Sequence, residues 1–215
     1  MRLFSIIFFY KKADDQEPIK LSEAMDLSTL AFFKRGTAKE VMVFFCREVV
    51  KRTANNSRVS ISRDEHVAHV YVDNDGLSCV VLTDKEYPTR VAFDIIRQSF
   101  AAFGEAFSSS SSSFSSTTSS SLLKKEWKTI SADSNISIDA LNKLLQNYQQ
   151  PQQVDKILKI QQDVDETKSI MIKNLEEMLN RGEKIEDIVN KSKELSKESK
   201  TFVRESKKLN SCCKW

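Results

Sequence analysis

Cys212 and Cys213 stand side by side, Arg181 sits where a largely apolar spacing calls for an apolar residue, and His66 and His69 form a close pair; these are the residue types that could do chemistry in this 215-residue chain. The two histidines are the only ones. Three residues apart on an extended run, they point to opposite faces of a sheet and cannot share a metal ion, so no metal site is expected. Neither a glycine-rich phosphate loop nor a Ser-His-Asp arrangement in a plausible context is present, which argues against an enzyme and against a cofactor. Cys46 and Cys79 lie inside the apolar runs VMVFFCREVV and LSCVVL and read as buried, reduced thiols rather than as a disulfide framework. The cysteine pair near the end and Arg181 are left to explain.

Composition narrows the frame that must position them. With 40% apolar and 29% charged residues, four glycines and three prolines, the chain fits one ordinary domain plus an extra segment. Thirty-three basic against thirty acidic side chains give little pull towards nucleic acid. No run reaches the roughly 18 to 20 apolar residues that a membrane span needs. The opening MRLFSIIFFY is followed at once by KKADDQE with no small-residue cleavage site, and reads as a first strand rather than a signal peptide. The stretch from Ser108 to Ser121, SSSSSSFSSTTSSS, cannot bury enough surface to offset its ordering entropy and is expected to be a loop or linker.

Before that tract, β-rich runs at 2–10, 18–27 and 58–84 surround a helix expected over Thr37 to Arg52 and precede a second from Pro88 to Phe107. Asp75-Gly76 between two apolar runs is a hairpin signal. Ala92, Ile96, Phe100, Phe103 and Phe107 form one apolar stripe at helical spacing. The first helix is less tidy: Ala38, Val41, Met42, Phe45 and Val49 share a face, while Val43, Phe44 and Val50 project away from it. Such a helix is either covered on both sides by its own domain or offers a docking surface.

From Ile157 to Leu209 the spacing is that of a coiled-coil seam: Ile157, Ile160, Val164, Thr167, Met171, Asn174, Met178, Arg181, Ile185, Ile188, Ser192, Leu195, Ser199, Phe202, Ser206 and Leu209. A continuous helix of that length is a rod of roughly 80 Å. Alone it would expose its whole stripe, and Gly182 costs it about 1 kcal/mol relative to alanine. A single chain is therefore expected to be largely unfolded here until partner helices supply apolar surface. Arg181 in a dry seam demands acceptors such as glutamine side chains from those partners, and fixes their register.

The stretch VDETKSIMIKNLEEMLNRGEKIEDIVNKSKELSKESKTF resembles the SNARE motif of R-SNAREs, the synaptobrevin-like proteins, with Arg181 matching the family's central-layer arginine. LAFFKRG, HVAHVYV and TDKEYPTRVAF resemble a longin domain, and with NSCC following the SNARE motif the whole is similar to lipid-anchored longin SNAREs of the Ykt-six type. The resemblance implies an α+β, profilin-like longin domain with a five-stranded antiparallel sheet and flanking helices, followed by a coiled-coil SNARE helix. The expected division is 1–107 for the longin sheet and first two helices, 108–121 for the serine tract, 122–148 for a longin C-terminal helix and linker, 151–211 for the SNARE motif and 212–215 for the tail.

In such a protein three Q-SNARE helices (Qa, Qb and Qc) join the R-SNARE in a parallel four-helix bundle that drives vesicle fusion in Golgi, endosomal or vacuolar transport. The resemblance also implies a cytosolic closed form, with the longin domain folded onto the SNARE segment; Phe44, with Val43 and Val50, is where that contact is expected. It further implies lipidation of Cys212 and Cys213 and peripheral attachment to the cytoplasmic face of those membranes. Lys214-Trp215 departs from the family's aliphatic ending. Two lipids, or one with the basic residues Lys197, Lys200, Arg204, Lys207 and Lys208, anchor far more stably than one. The competing reading is a non-fusogenic regulator that occupies Q-SNAREs without bringing an anchor.

Overall fold

The computed structural model describes residues 1–12, 16–109, 127–150, 169–179 and 182–212. Five strands form an antiparallel meander-like sheet: β1 (Leu3–Tyr10), β2 (Ile19–Met25), β3 (Ser57–Arg63), β4 (His66–Val72) and β5 (Leu77–Asp84), in the order β2-β1-β5-β4-β3. The sheet has a sixth member, β6 (Met171–Asn174), which adds in parallel to the edge of β3 and makes the sheet mixed. This corrects the five-stranded expectation, and the extra strand comes from the segment read as seam helix. The β4–β5 turn needs its glycine: Gly76 has φ +83°, and a Cβ there would sit 2.1 Å from the Lys11 carbonyl oxygen.

Alternation along the strands sends two sets of side chains to opposite faces. Ile6, Phe8 and Tyr10 of β1 join Leu77, Cys79 and Val81 of β5 in one core, while Ile7, Phe9 and Val80 join another. Helix α2 (Thr89–Ser109) and helix α3 (Asp139–Asn147) close the first face. On α2, Ala92, Ile96 and Phe103 are buried, with Phe100 and Phe107 partly buried beside them. Phe8 stacks on Phe103 at 4.6 Å, and Phe103 on Phe107 at 4.6 Å. Residues 133–136 run along β2 and shield that edge, where Ser134 and Ile136 N–H groups donate to the Lys20 and Leu21 carbonyls at 2.8 and 2.9 Å.

Helix α1 (Phe32–Arg52) covers the second face. It begins five residues before the expected Thr37, because Phe32 and Phe33 are exposed and belong to no buried stripe that periodicity could register. Cys46, Val49 and Val50 lie against the sheet, and burial alone pushes the Cys46 thiol up to about 12.

The continuous rod is not what the described residues form. After β6 come a short helix α4 (Leu175–Met178), then α5 (Ile185–Lys191) and α6 (Lys197–Cys212). Gly182, at φ +87°, turns the chain between α4 and α5. Nor are the described residues of this segment unfolded: several of their apolar side chains are buried piecemeal on the chain's own sheet and α1.

Candidate functional site: the C-terminal segment on helix α1

Three apolar side chains of the C-terminal segment, Val189, Leu195 and Val203, form a buried cluster with Phe44 of α1. Phe44 is 5% exposed, so the side of α1 facing away from the sheet is occupied. Burying a side chain of this size stabilises by roughly 1.5–3 kcal/mol. Leu175 and Ile185 reach further and join the core that Val50, Ile61 and Val70 build under α1. An apolar cavity of about 390 Å³ remains between α1 and the sheet, bordered by Val41, Phe45 and Leu82 and by Leu175 and Phe202 from the C-terminal segment.

Polar contacts ring the cluster. Arg47 is only 6% exposed and spans three parts of the chain, pairing with Glu194 beyond α5 and with Asp133 beside β2. Arg52 pairs with Glu48 within α1 and lies 3.4 Å from Glu183. Glu40 accepts from the Ser196 N–H at 2.8 Å, from the Ser196 hydroxyl at 2.7 Å and from the Ser199 hydroxyl. Burial opposes ionisation of Glu40, yet these donors outweigh it and hold the carboxyl below the ordinary glutamate range. At the other end, the Ser62 hydroxyl donates to Asn174 Oδ1 at 2.7 Å, and Asn174 with Glu177 caps α4.

The seam residues are not used evenly. Ile185, Leu195 and Ser199 are buried, Met178, Ile188, Ser192, Phe202 and Ser206 are half-buried, and Met171 and Asn174 are exposed on β6. Ile157, Ile160, Val164, Thr167, Arg181 and Cys213 lie outside the described residues, as does the serine tract beyond Ser109; Leu209 and Cys212 are described only as backbone of α6. On α1, Phe44 meets the C-terminal segment, Val43 is half-buried against the core beneath the helix, and Val50, expected on the docking surface, is instead fully buried on the sheet side. Leu175, Val189 and Val203 were not among the seam residues, yet they are buried. Each follows a seam position by one residue, about 100° around a helix, so an apolar flank beside the seam was the available signal.

His69 is buried with its ring nitrogens at 2.9 Å from the Ser60 hydroxyl and 3.2 Å from that of Thr83, and burial lowers it to about 4. It is a neutral core residue at physiological pH. Among the described residues no helix is long and apolar enough to cross a membrane.

Residues 27–130 match the longin family, described as a regulated-SNARE-like domain, and residues 156–215 match the synaptobrevin family. Synaptobrevin homolog YKT6 of Debaryomyces hansenii is 37% identical over 199 residues, 92% of each chain. The proteins of the same name from Saccharomyces cerevisiae and Candida glabrata are 34% and 33% identical, each over 99% of this chain and 98% of their own. A longin sheet carrying a synaptobrevin segment on its α1 face, and this similarity along nearly the whole length, place the chain in the family of YKT6-type longin R-SNAREs of vesicle trafficking.

Proposed function

We propose that this R-SNARE drives fusion of transport vesicles by giving residues 151–211 to a parallel four-helix bundle with three Q-SNARE helices, and that the docked arrangement is its closed, autoinhibited form. Arg181 then occupies the central layer among glutamine acceptors, where a slipped register would bury an unpaired charge. One observation carries the reading: Ile185, Leu195 and Ser199, which would face the partner helices, are buried on the chain's own longin unit. The same side chains cannot fill both places. Assembly therefore has to displace the docked segment, and the docking free energy is subtracted from the affinity for partners.

Lipidation of Cys212 and Cys213 would hold the open form at the cytoplasmic face of Golgi, endosomal or vacuolar membranes. Intact-mass measurement of the C-terminal peptide from native cells tests this directly, and two free thiols there would remove the anchor. The closed form is tested by Phe44→Glu, which places a charge in the cluster with Val189 and Leu195. The variant should expand in hydrodynamic radius and assemble faster with purified Q-SNARE fragments. An unchanged radius and assembly rate would sink the autoinhibitory reading.

A further inference from the structure

Phe32 and Phe33 are 85% and 78% exposed at the start of α1, more than any other large apolar side chain among the described residues. Two adjacent exposed phenylalanines forgo several kcal/mol of burial that the fold could have used, and neither belongs to a core cluster. Cations accompany them: Lys34 Nζ and the Arg35 guanidinium each lie 6.0 Å from the centroid of one ring. The first turn of α1 contains no acidic residue. Lys34, at a helix start, faces the positive end of the backbone dipole and is not placed there for the helix's own stability, whereas Arg35 also ties the helix start to the preceding loop by donating to the Leu30 and Ser28 carbonyls at 3.0 and 3.3 Å.

We propose that Phe32, Phe33, Lys34 and Arg35 form a membrane-surface contact of the longin unit, with the rings entering the headgroup boundary of an anionic phospholipid bilayer and the two cations meeting its phosphates. Aromatic rings favour that boundary, and each nearby cation adds attraction to an anionic leaflet. Charge decides against a second copy of the chain, since a two-fold contact through this patch would set Lys34 and Arg35 against their own equivalents. The position also fits. Phe33 and Lys34 border one shallow surface cavity with Thr201, Phe202 and Glu205 of α6, and from Glu205 to the end of α6 at Cys212 the helix rises only about 10 Å. Lys197, Glu198 and Glu205 line the α6 side of that cavity with a net negative charge, so the net attraction comes from the α1 side. The contact stands on the longin surface and does not require the tail to be lipidated.

The test uses the full chain carrying Cys212→Ser and Cys213→Ser, floated with vesicles of phosphatidylcholine alone or mixed with phosphatidylserine. The parent should float with the mixed vesicles and not with phosphatidylcholine. Phe32→Ser with Phe33→Ser should cut the bound fraction about tenfold, and Lys34→Ser with Arg35→Ser about tenfold to thirtyfold. Since Phe32 and Phe33 lie outside the core clusters, thermal unfolding of the Phe32/Phe33 variant should not move; Arg35 donates to the Leu30 and Ser28 carbonyls, so the charge variant is floated at a temperature where it and the parent are both folded. A fluorophore on Phe33→Cys, with Cys46 and Cys79 buried, should shift to the blue on the mixed vesicles only. If the parent floats with neither vesicle, or the Phe32/Phe33 variant floats like the parent, or the fluorophore stays in water, the contact is overturned. The assay contains no partner SNARE, so its failure leaves the bundle reading to the Phe44→Glu measurement.

Discussion

The two faces of the sheet are closed in different ways. On the α2 and α3 face the cover comes from the chain before residue 150: Phe8, Phe103 and Phe107 stack, and Tyr148 donates to Asp94 Oδ2 at 2.8 Å while its carbonyl accepts from the Tyr87 hydroxyl at 2.7 Å. On the α1 face the cover is partly borrowed. Leu175, Ile185, Val189, Leu195 and Val203 finish it from a segment that belongs to another family unit, and charged or hydroxyl groups at the rim fasten it. A permanent core can afford buried aromatic stacking that nothing else competes for. If the segment leaves as proposed, its docking needs enough apolar area to hold and a rim that water and salt can loosen.

That contrast predicts the largest effect on the permanent face. Phe103→Ala deletes a ring that is 2% exposed and stacked on two neighbours, and should cost about 3–5 kcal/mol in denaturant unfolding of the whole longin unit. Phe44→Glu on the other face should instead spare that unit. Hydrogen exchange should accelerate across α5 and α6 while β1, β4 and β5 keep their protection. Equal loss of protection on both faces would erase the distinction between them.

Strand alternation made the sheet and the α2 stripe readable from sequence, because Phe8, Val81 and Phe103 have one possible destination each. Helix α1 was harder. Phe44 points away from the core face, which marks a surface to be covered, but Phe32 and Phe33 obey no periodicity, and the first five residues of the helix carry no signal of their own. The C-terminal third carries a seam whose residues suit a bundle, and the same residues suit docking. Nothing local in Ile185 or Leu195 states which partner is present, and β6 required the free edge of β3, a tertiary feature. The rim was invisible for the same reason: Arg47, Asp133 and Glu194 are far apart in the chain and meet only in the fold.

A smaller effect should follow from the rim alone. Glu194→Ala removes one of the two carboxylates on Arg47 and leaves Asp133 in place. Glu194 is 41% exposed at its side chain, so screening limits the loss to about 1 kcal/mol of docking. The opened fraction, read from hydrogen exchange at Leu195, should rise about fivefold, and added salt should narrow the gap between variant and parent. A gap that widens with salt would mean that Arg47 and Glu194 do not attract across the junction.

The smallest and most specific effect lies at Glu40. Docking holds its carboxyl below the ordinary range, against burial, through the donors of Ser199 and Ser196. The undocked segment returns Glu40 to its ordinary value, so the undocked form binds a proton first as pH falls. The stabilisation is complete above the ordinary glutamate range and is lost as pH falls through the depressed docked value. Hydrodynamic radius measured down that window should therefore grow in the parent. Asp133, Glu183 and Glu194 also face this junction, so Glu40→Gln is the comparison that isolates one group: it still accepts a hydrogen bond but does not titrate. The variant should be slightly more open than the parent at neutral pH, and its profile should be flatter in acid. Superimposable profiles would show that the serine donors hold Glu40 no better docked than free, and that the rim on this side of α1 contributes shape rather than charge.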